Sequence, residues 1–307
     1  MTFKSPARWH DTDLAGGPPP VTVRLRRRNC ELPPIPPVAT TLLTLLAREH
    51  VGLAEVSAAI AVDPAVTAEV LRAANSAYYG IRGEVTNLQH AATLLGLDRI
   101  RALATTIGLR RYLGTTLKAP AVRRSWRHNL ACALAAEQIA RRCGGHRADA
   151  YSAGLLHDIG RLALVVAHPT AYPAFLDTTR AIGRRLLDEE REIFGMDHCE
   201  AGRWLTQQLL LPQAFQDIAR HHHDSAAVGP TDLLQRIGVA CRLADHLGYW
   251  VVAPPAAEPG DAAAALAALD ALLEPLTAAH RASLASEIED IAAEVAHELT
   301  ALDDLLA

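Results

Sequence analysis

The chain reads Gly154-Leu155-Leu156-His157-Asp158-Ile159-Gly160 near its midpoint, where an imidazole and a carboxylate follow directly on an apolar run. A buried charged group needs a partner or a metal to offset its lost hydration. Adjacent side chains on a helix point about 100° apart, so both reach one ion only at a turn or a helix end. We therefore interpret His157 and Asp158 as metal ligands.

Further ligand-type side chains lie on segments with helical spacing before and after this pair. Imidazole nitrogen mixed with carboxylate oxygen suits divalent metals of borderline character. The predicted metal ligands are His128, His157, Asp158, His198, His221, His222 and Asp245. A minimal set for one ion is His128, His157, Asp158 and Asp245, and the other three histidines offer nitrogen to a second ion. We expect His223 and Asp224, which extend this run, to lie on an exposed flank.

Composition favours an all-α protein. Half of the 307 residues are apolar but only 5% are aromatic, and Ala and Leu, which head the helix propensity scale, dominate.

The five cysteines are widely spaced and odd in number, which is typical of small core residues in a reducing cytoplasm. We expect a cytoplasmic protein without a membrane partner, because the sequence shows neither a signal-peptide pattern nor a long uncharged apolar stretch.

Charge argues against nucleic acid as a partner. The formal net charge is −4, so no overall field attracts the chain to a phosphate backbone. Two basic clusters, Arg24–Arg28 and the group Arg123, Arg124 and Arg127, could contact phosphate, but we interpret the first as a solvated run. A nucleic-acid-binding regulator is therefore the weakest hypothesis.

The pattern along the chain predicts four segments. They are a flexible lead-in over residues 1–30, an N-terminal helical subdomain over 31–115, a metal-binding helical subdomain over 116–250, and a linker with C-terminal helices over 251–307. Asp63-Pro64 predicts a capped helix start, Thr86 to Gln89 a capping box, and Gly96 a helix end. In the third segment the helices are predicted over 122–143, 148–167, 183–193, 198–210, 213–223 and 231–249. Leu284, Ile288, Ile291, Val295 and Leu299 predict a buried face near the C-terminus.

The order of the histidine motifs resembles the HD superfamily, and motifs in the first half make the chain similar to its HDOD family. These are Leu32-Pro33-Pro34-Ile35-Pro36-Pro37, Asp63-Pro64-Ala65 and Ala74-Asn75-Ser76-Ala77-Tyr78-Tyr79-Gly80. The resemblance covers residues 30 to 250. It implies an N-terminal helical bundle packed on an HD-type helical domain, and an output role in bacterial signal transduction.

Three departures from the related HD-GYP phosphodiesterases bear on catalysis. No Gly-Tyr-Pro segment follows His222, so cyclic di-GMP hydrolysis is disfavoured. Arg161 stands where those enzymes usually carry lysine, and its guanidinium group could still orient a phosphate. Arg124 replaces a glutamate that some relatives use for a third metal.

Two functional hypotheses remain. The first is a signalling module that binds one or two divalent metals (Fe, Mn, Zn, Ni or Mg) and acts through a signalling protein partner. The alternative is a metal-dependent phosphohydrolase acting on a nucleotide or phosphodiester, in which that phosphate compound is the ligand.

Overall fold

Helices form the regular structure of the part of the chain that the computed structural model describes. That part comprises residues 40, 41, 44, 45, 51–76, 79–81, 83–224, 232–252, 273 and 276–306. It contains no strand, so the predicted all-α class is confirmed. None of its helices combines the length and apolarity needed to cross a membrane. The predicted lead-in over 1–30 and most of the predicted linker lie outside the described residues.

The N-terminal helices pack on one another before the histidine motifs begin. They are α1 (Leu53–Ala61), α2 (Pro64–Ala74), α3 (Leu88–Leu95) and α4 (Leu97–Leu113), followed by a 3-10 helix (Gly114–Lys118). Helix α4 has contacts with each of the other three and is buried along most of its length. These apolar contacts join the N-terminal helices in one hydrophobic core with the rest of the described chain.

Local capping sets the bounds of these helices. The Asp63 carboxylate accepts hydrogen bonds from the backbone N–H groups of Ala65 and Val66, which confirms the predicted start of α2. The predicted capping box at Thr86 is wrong. Asn87 caps α3 instead, because its side-chain oxygen accepts from His90 N at 2.8 Å. Gly96 ends α3 as predicted, with a φ of 86° that glycine adopts without a steric penalty.

A second set of helices carries the histidine motifs. They are α5 (Pro120–Cys143), α6 (Arg147–Leu156), α7 (Ile159–Ala167), α8 (Ala171–Thr178), α9 (Gly183–Phe194), α10 (His198–Gln208), α11 (Gln213–His221) and α12 (Asp232–His246). The long helix α5 is central and packs against α6 and α12, while α10 packs against α7 and α11. This arrangement brings the ends of several helices to one buried position beside α5.

Two features of this set differ from the sequence prediction. The single helix predicted over 148–167 is wrong, because the chain leaves helical geometry at Asp158 (φ −108°, ψ 25°) between α6 and α7. Helix α8 was not predicted. Its Pro173 signals a break in the sequence, but this proline lies in the first helical turn, where a missing N–H group costs little.

Two glycines allow the close helix approaches on which this arrangement depends. A Cβ atom on Gly154 would lie 2.7 Å from Ala133 Cα, so α6 and α5 touch backbone to backbone. A Cβ atom on Gly160 would overlap the backbone of α10 at His198 and Gly202. Gly160 therefore sets the distance between α7 and α10.

The C-terminal helices cover the outer side of α5. Helix α13 (Ala278–Ser286) and helix α14 (Ile288–Leu306) both pack on it. Leu284, Ile291, Val295 and Leu299 are each at most 1% exposed, which confirms the predicted buried face at these positions. Ile288 is only partly buried and packs against the core.

Candidate metal centre

His128 enters the site from the middle of α5. It is 3% exposed, and its Nδ1 atom lies 2.8 Å from the carbonyl oxygen of Tyr249. Because a carbonyl only accepts, Nδ1 carries the hydrogen and Nε2 keeps a lone pair. The Nε2 atom lies on the opposite side of the ring, 3.5 Å from Cys241 Sγ.

His157 and His222 are oriented in the same way by backbone carbonyls of their own helices. His157 Nδ1 donates to Gly154 O at 2.6 Å, and His222 Nδ1 donates to Ile218 O at 3.2 Å. Burial, reinforced by neighbouring imidazoles, lowers the pKa of both side chains well below the usual value, so both rings are neutral. Each ring thus presents an Nε2 lone pair.

These rings converge with the free oxygen of Asp158. The ring centroid of His157 lies 5.3 Å from that of His128 and 5.0 Å from that of His222. Asp158 Oδ1 lies 3.7 Å from His222 Nε2. Within the described part of the chain, His157 Nε2, His222 Nε2 and Asp158 Oδ1 are buried and have no hydrogen-bond partner. Buried polar atoms are nearly always satisfied, so this set fits a divalent cation held by imidazole and carboxylate.

Asp245 lies on the far side of His128 from this cluster. Its Oδ1 atom is 3.4 Å from His128 Nδ1, and its side chain is half exposed. The structure therefore places this predicted ligand behind the imidazole, where a carboxylate fixes ring orientation and raises ligand basicity.

The structure and the prediction differ on which histidines of the run His221-His222-His223 face the site. His221 Nδ1 pairs with Asp224 Oδ2 at 2.8 Å, so the structure does not bring His221 into the cluster. His223, expected on an exposed flank, is half-buried and its Nε2 atom lies 3.0 Å from His198 Nε2. Helix α11 ends at His221, and the turn that follows carries His223 back towards α10.

His198 and Arg161 belong to a second, ionic part of the site. His198 Nδ1 donates to Glu190 Oε2 at 2.6 Å, and His198 Nε2 accepts from Arg161 Nη2 at 3.1 Å. Arg161 also donates from Nε to Asp158 Oδ2 at 2.6 Å and from Nη1 to Glu190 Oε1 at 3.1 Å. Its side chain is 3% exposed. The predicted role of orienting a phosphate does not fit this arrangement, because the guanidinium group is buried and already hydrogen-bonded.

Arg161 holds two buried carboxylates in their charged state. Burial alone would raise the pKa of Asp158, but the charge of Arg161 holds that pKa well below the usual value. Burial acts on Glu190 in the same direction, but the hydrogen bond from His198 and the charge of Arg161 lower the pKa of Glu190 to about 2. The site thus contains a fixed internal cation.

Sequence reasoning missed two members of the site, Glu190 and Cys241. Glu190 is fully buried and lies on the apolar face of α9 with Leu186 and Phe194, four residues to either side. A lone acid on such a face is the signal that identifies it. Cys241 precedes Asp245 by one helical turn on α12, so the two share a face of that helix.

We expect alanine in place of His222 to weaken divalent metal binding at least about 100-fold, since even partners that only support a ligand contribute 10–100-fold. Calorimetric titration with Zn²⁺ or Mn²⁺ measures this loss. His221→Ala is the matched control, because its ring pairs with Asp224 outside the cluster and should leave affinity unchanged. A larger loss in His221→Ala than in His222→Ala would contradict the assignment.

Comparisons with known proteins agree with this architecture. The model of the HDOD domain matches residues 32–225. A curated, uncharacterized protein of Treponema pallidum is 25% identical over 198 residues, which are 63% of this chain but only 38% of that protein. The chain thus spans well under half the length of this relative.

Two solved structures share the fold. A Shewanella amazonensis protein, provisionally named a phosphohydrolase, is 23% identical with a TM-score of 0.63, covering 90% of this chain and 95% of its own. A Marinobacter aquaeolei protein, provisionally named for signal transduction, is 22% identical with a TM-score of 0.66, covering 91% of this chain and 62% of its own. At these identities both likenesses establish the fold alone.

Proposed function

Because this chain belongs to the HDOD family, we propose that it is a bacterial signalling output module whose buried site holds one divalent ion and which acts through contact with another protein. The ion has a structural role in this proposal. The ligands come from α5, the turn between α6 and α7, and the end of α11, so one ion would tie these elements together.

The position of Arg161 is the observation that supports this proposal. Hydrolases with two metals use ions about 3.5–4 Å apart to clamp a phosphate between them. Here the guanidinium group bonds Asp158 Oδ2 and His198 Nε2, the atoms that would face a second ion. A second cation beside it would be repelled in a poorly screened interior. The Arg161 guanidinium group and one metal ion would therefore together provide partners for the carboxylates and imidazoles of the site.

Burial of the ligands supports the same reading. His128, His157 and Asp158 are each at most 3% exposed, and His222 is 7% exposed. A phosphodiester needs direct access to the ion that activates it, and these side chains offer almost no surface to a substrate. An ion held in this way stabilises the native state, by about 2.7 kcal/mol when its concentration is 100 times Kd.

The alternative is a metal-dependent phosphohydrolase. The observation in its favour is the intact set of Nε2 lone pairs with Asp158 Oδ1, a donor set that also serves hydrolytic metals. In such enzymes the ion supplies Lewis acidity towards phosphate oxygens.

Metal analysis combined with turnover distinguishes the two functions. We expect one ion per chain, a lower Tm after chelation, and no hydrolysis of cyclic dinucleotides, nucleotides or a chromogenic diester by protein loaded with Mn²⁺, Fe²⁺ or Zn²⁺. Two ions per chain, or hydrolysis that disappears in His157→Ala, would replace this proposal with the phosphohydrolase. His221→Ala, prepared in parallel, controls for a contaminating phosphatase.

A further inference from the structure

Cys241 lies at the edge of the candidate metal centre, beside His128 and His157. It is 7% exposed on α12 and is a free thiol. Its Sγ atom and a ring nitrogen from each of His128 and His157 all lie within 4.8 Å of one another. Asp245, on the next turn of α12, contacts the opposite side of the His128 ring.

We propose that Cys241 supplies a sulfur ligand to this ion, beside His128 and His157. The inference rests on the proposed function to the extent that an ion is bound at all. It goes beyond that function because it names the ligand that α12 supplies to the ion. That ligand is the thiolate of Cys241 and not the carboxylate of Asp245.

The spacing of the donor atoms supports this assignment. Two ligands of one ion, with a metal–sulfur distance of about 2.3 Å and a metal–nitrogen distance of about 2.0–2.1 Å, lie about 3.1–3.6 Å apart at bond angles of roughly 90–110°. The observed separation between Cys241 Sγ and His128 Nε2 is 3.5 Å. The two side chains therefore already have the spacing of ligands that share an ion.

The orientation of His128 points to the same conclusion. Its Nδ1–H group donates to Tyr249 O, with Asp245 beside it, so the ring is held with its Nε2 lone pair towards Cys241. A ligating histidine is commonly fixed in this way by a carbonyl or carboxylate at its other nitrogen. Asp245 thus orients a ligand, and Cys241 is one.

A sulfur ligand also determines which metals the site prefers. Thiolate and imidazole together select zinc and chemically similar ions, whereas magnesium and manganese prefer oxygen ligands. We therefore infer that the resident ion is borderline-soft, with Zn²⁺ as the representative and Co²⁺ as its spectroscopic substitute.

Cobalt substitution tests the assignment without reference to activity. A thiolate bound to Co²⁺ gives a charge-transfer band in the near ultraviolet, and we expect this band in the wild-type protein. Cys241→Ser and Cys241→Ala should lose the band. Their Zn²⁺ affinity should fall at least about tenfold while Mn²⁺ affinity changes little, since only the soft donor is removed. Two variants guard against a local folding defect in either one.

Cys132 provides the matched control. It is a buried free thiol on α5, one turn after His128, and among the described residues its sulfur is not one of the donor atoms that lie within 4.8 Å of one another around His128. Cys132→Ala and Asp245→Asn should both keep the band. Cobalt that binds the wild type without the band, or a band lost in Cys132→Ala and kept in Cys241→Ala, would overturn the role of Cys241 and leave the single-ion proposal standing. Failure to bind any ion would overturn both.

Discussion

Alanine at position 160 is expected to destabilise the protein by at least about 3 kcal/mol, at the upper end of the usual cost of overpacking. The added Cβ would overlap the backbone at His198 and would lie 2.8 Å from Gly202 Cα. Backbone atoms cannot rotate away as a side chain can, so α7 and α10 must separate. Because α10 also packs against α11, which ends next to His222, metal binding should weaken as well. Chemical denaturation with and without Zn²⁺ measures both effects.

Gly238→Ala is the control for this prediction. Gly238 is also inside a helix, α12, but among the described residues the only heavy atom within 4 Å of an added Cβ would be Arg242 Nη1, at 3.7 Å. Alanine is favoured over glycine in a helix by roughly 0.5–1 kcal/mol, so this variant should be as stable as the wild type or slightly more stable. Equal stability of Gly160→Ala and the wild type would show that the α7–α10 contact is not as close as described.

Methionine at position 161 is expected to lower the free energy of unfolding by about 3–5 kcal/mol, because it leaves buried charges without their partner. Arg161 bonds Asp158 and Glu190, and both carboxylates are at most 2% exposed. The loss should be partly reversed by divalent metal, since Asp158 Oδ2 and His198 Nε2 become available to a second ion. Elemental analysis should then find more metal per chain than in the wild type.

The control for this prediction is an arginine in an exposed ion pair. Arg185 is 81% exposed and lies 3.4 Å from Glu189 on α9. Its replacement by methionine should change stability by less than about 1 kcal/mol, as is usual for surface pairs. Two results together would contradict this prediction: Arg161→Met binds only one ion, and it is as stable as the wild type without added metal. The guanidinium group would then not take the place of a second cation.

Much of the fold was predictable from local sequence. Apolar spacing identified most helices of the described chain, and Asp63 and Gly96 marked ends that the structure confirms. The errors occurred where local signals compete. Thr86 and Asn87 both suit a helix cap, and Pro173 signals a break although its position in a first turn permits a helix.

The candidate site was predictable in its members more than in their roles. A histidine or aspartate in a helical segment is a candidate ligand wherever it occurs, but its direction depends on where the helix ends. This is why His221 and His223 exchanged their expected places. Glu190 was missed because nothing in its sequence neighbourhood indicates that α9 faces the site. Cys241 was missed although Asp245 marks the same face of α12, because a lone cysteine in a helix is typical of a small core residue.

The sequence by itself determined that the chain is helical and that His157 and Asp158 lie at a buried polar site, because helix periodicity and the cost of burying charge are local properties. Only the tertiary structure decided what surrounds that pair. Arg161 lies three residues from Asp158, and the sequence allows it to reach solvent or a phosphate. The packing of α7 against α10 directs it inward, where Glu190 and His198 complete its hydrogen bonds. A side chain's partners depend on residues distant in sequence, and folding alone brings them together.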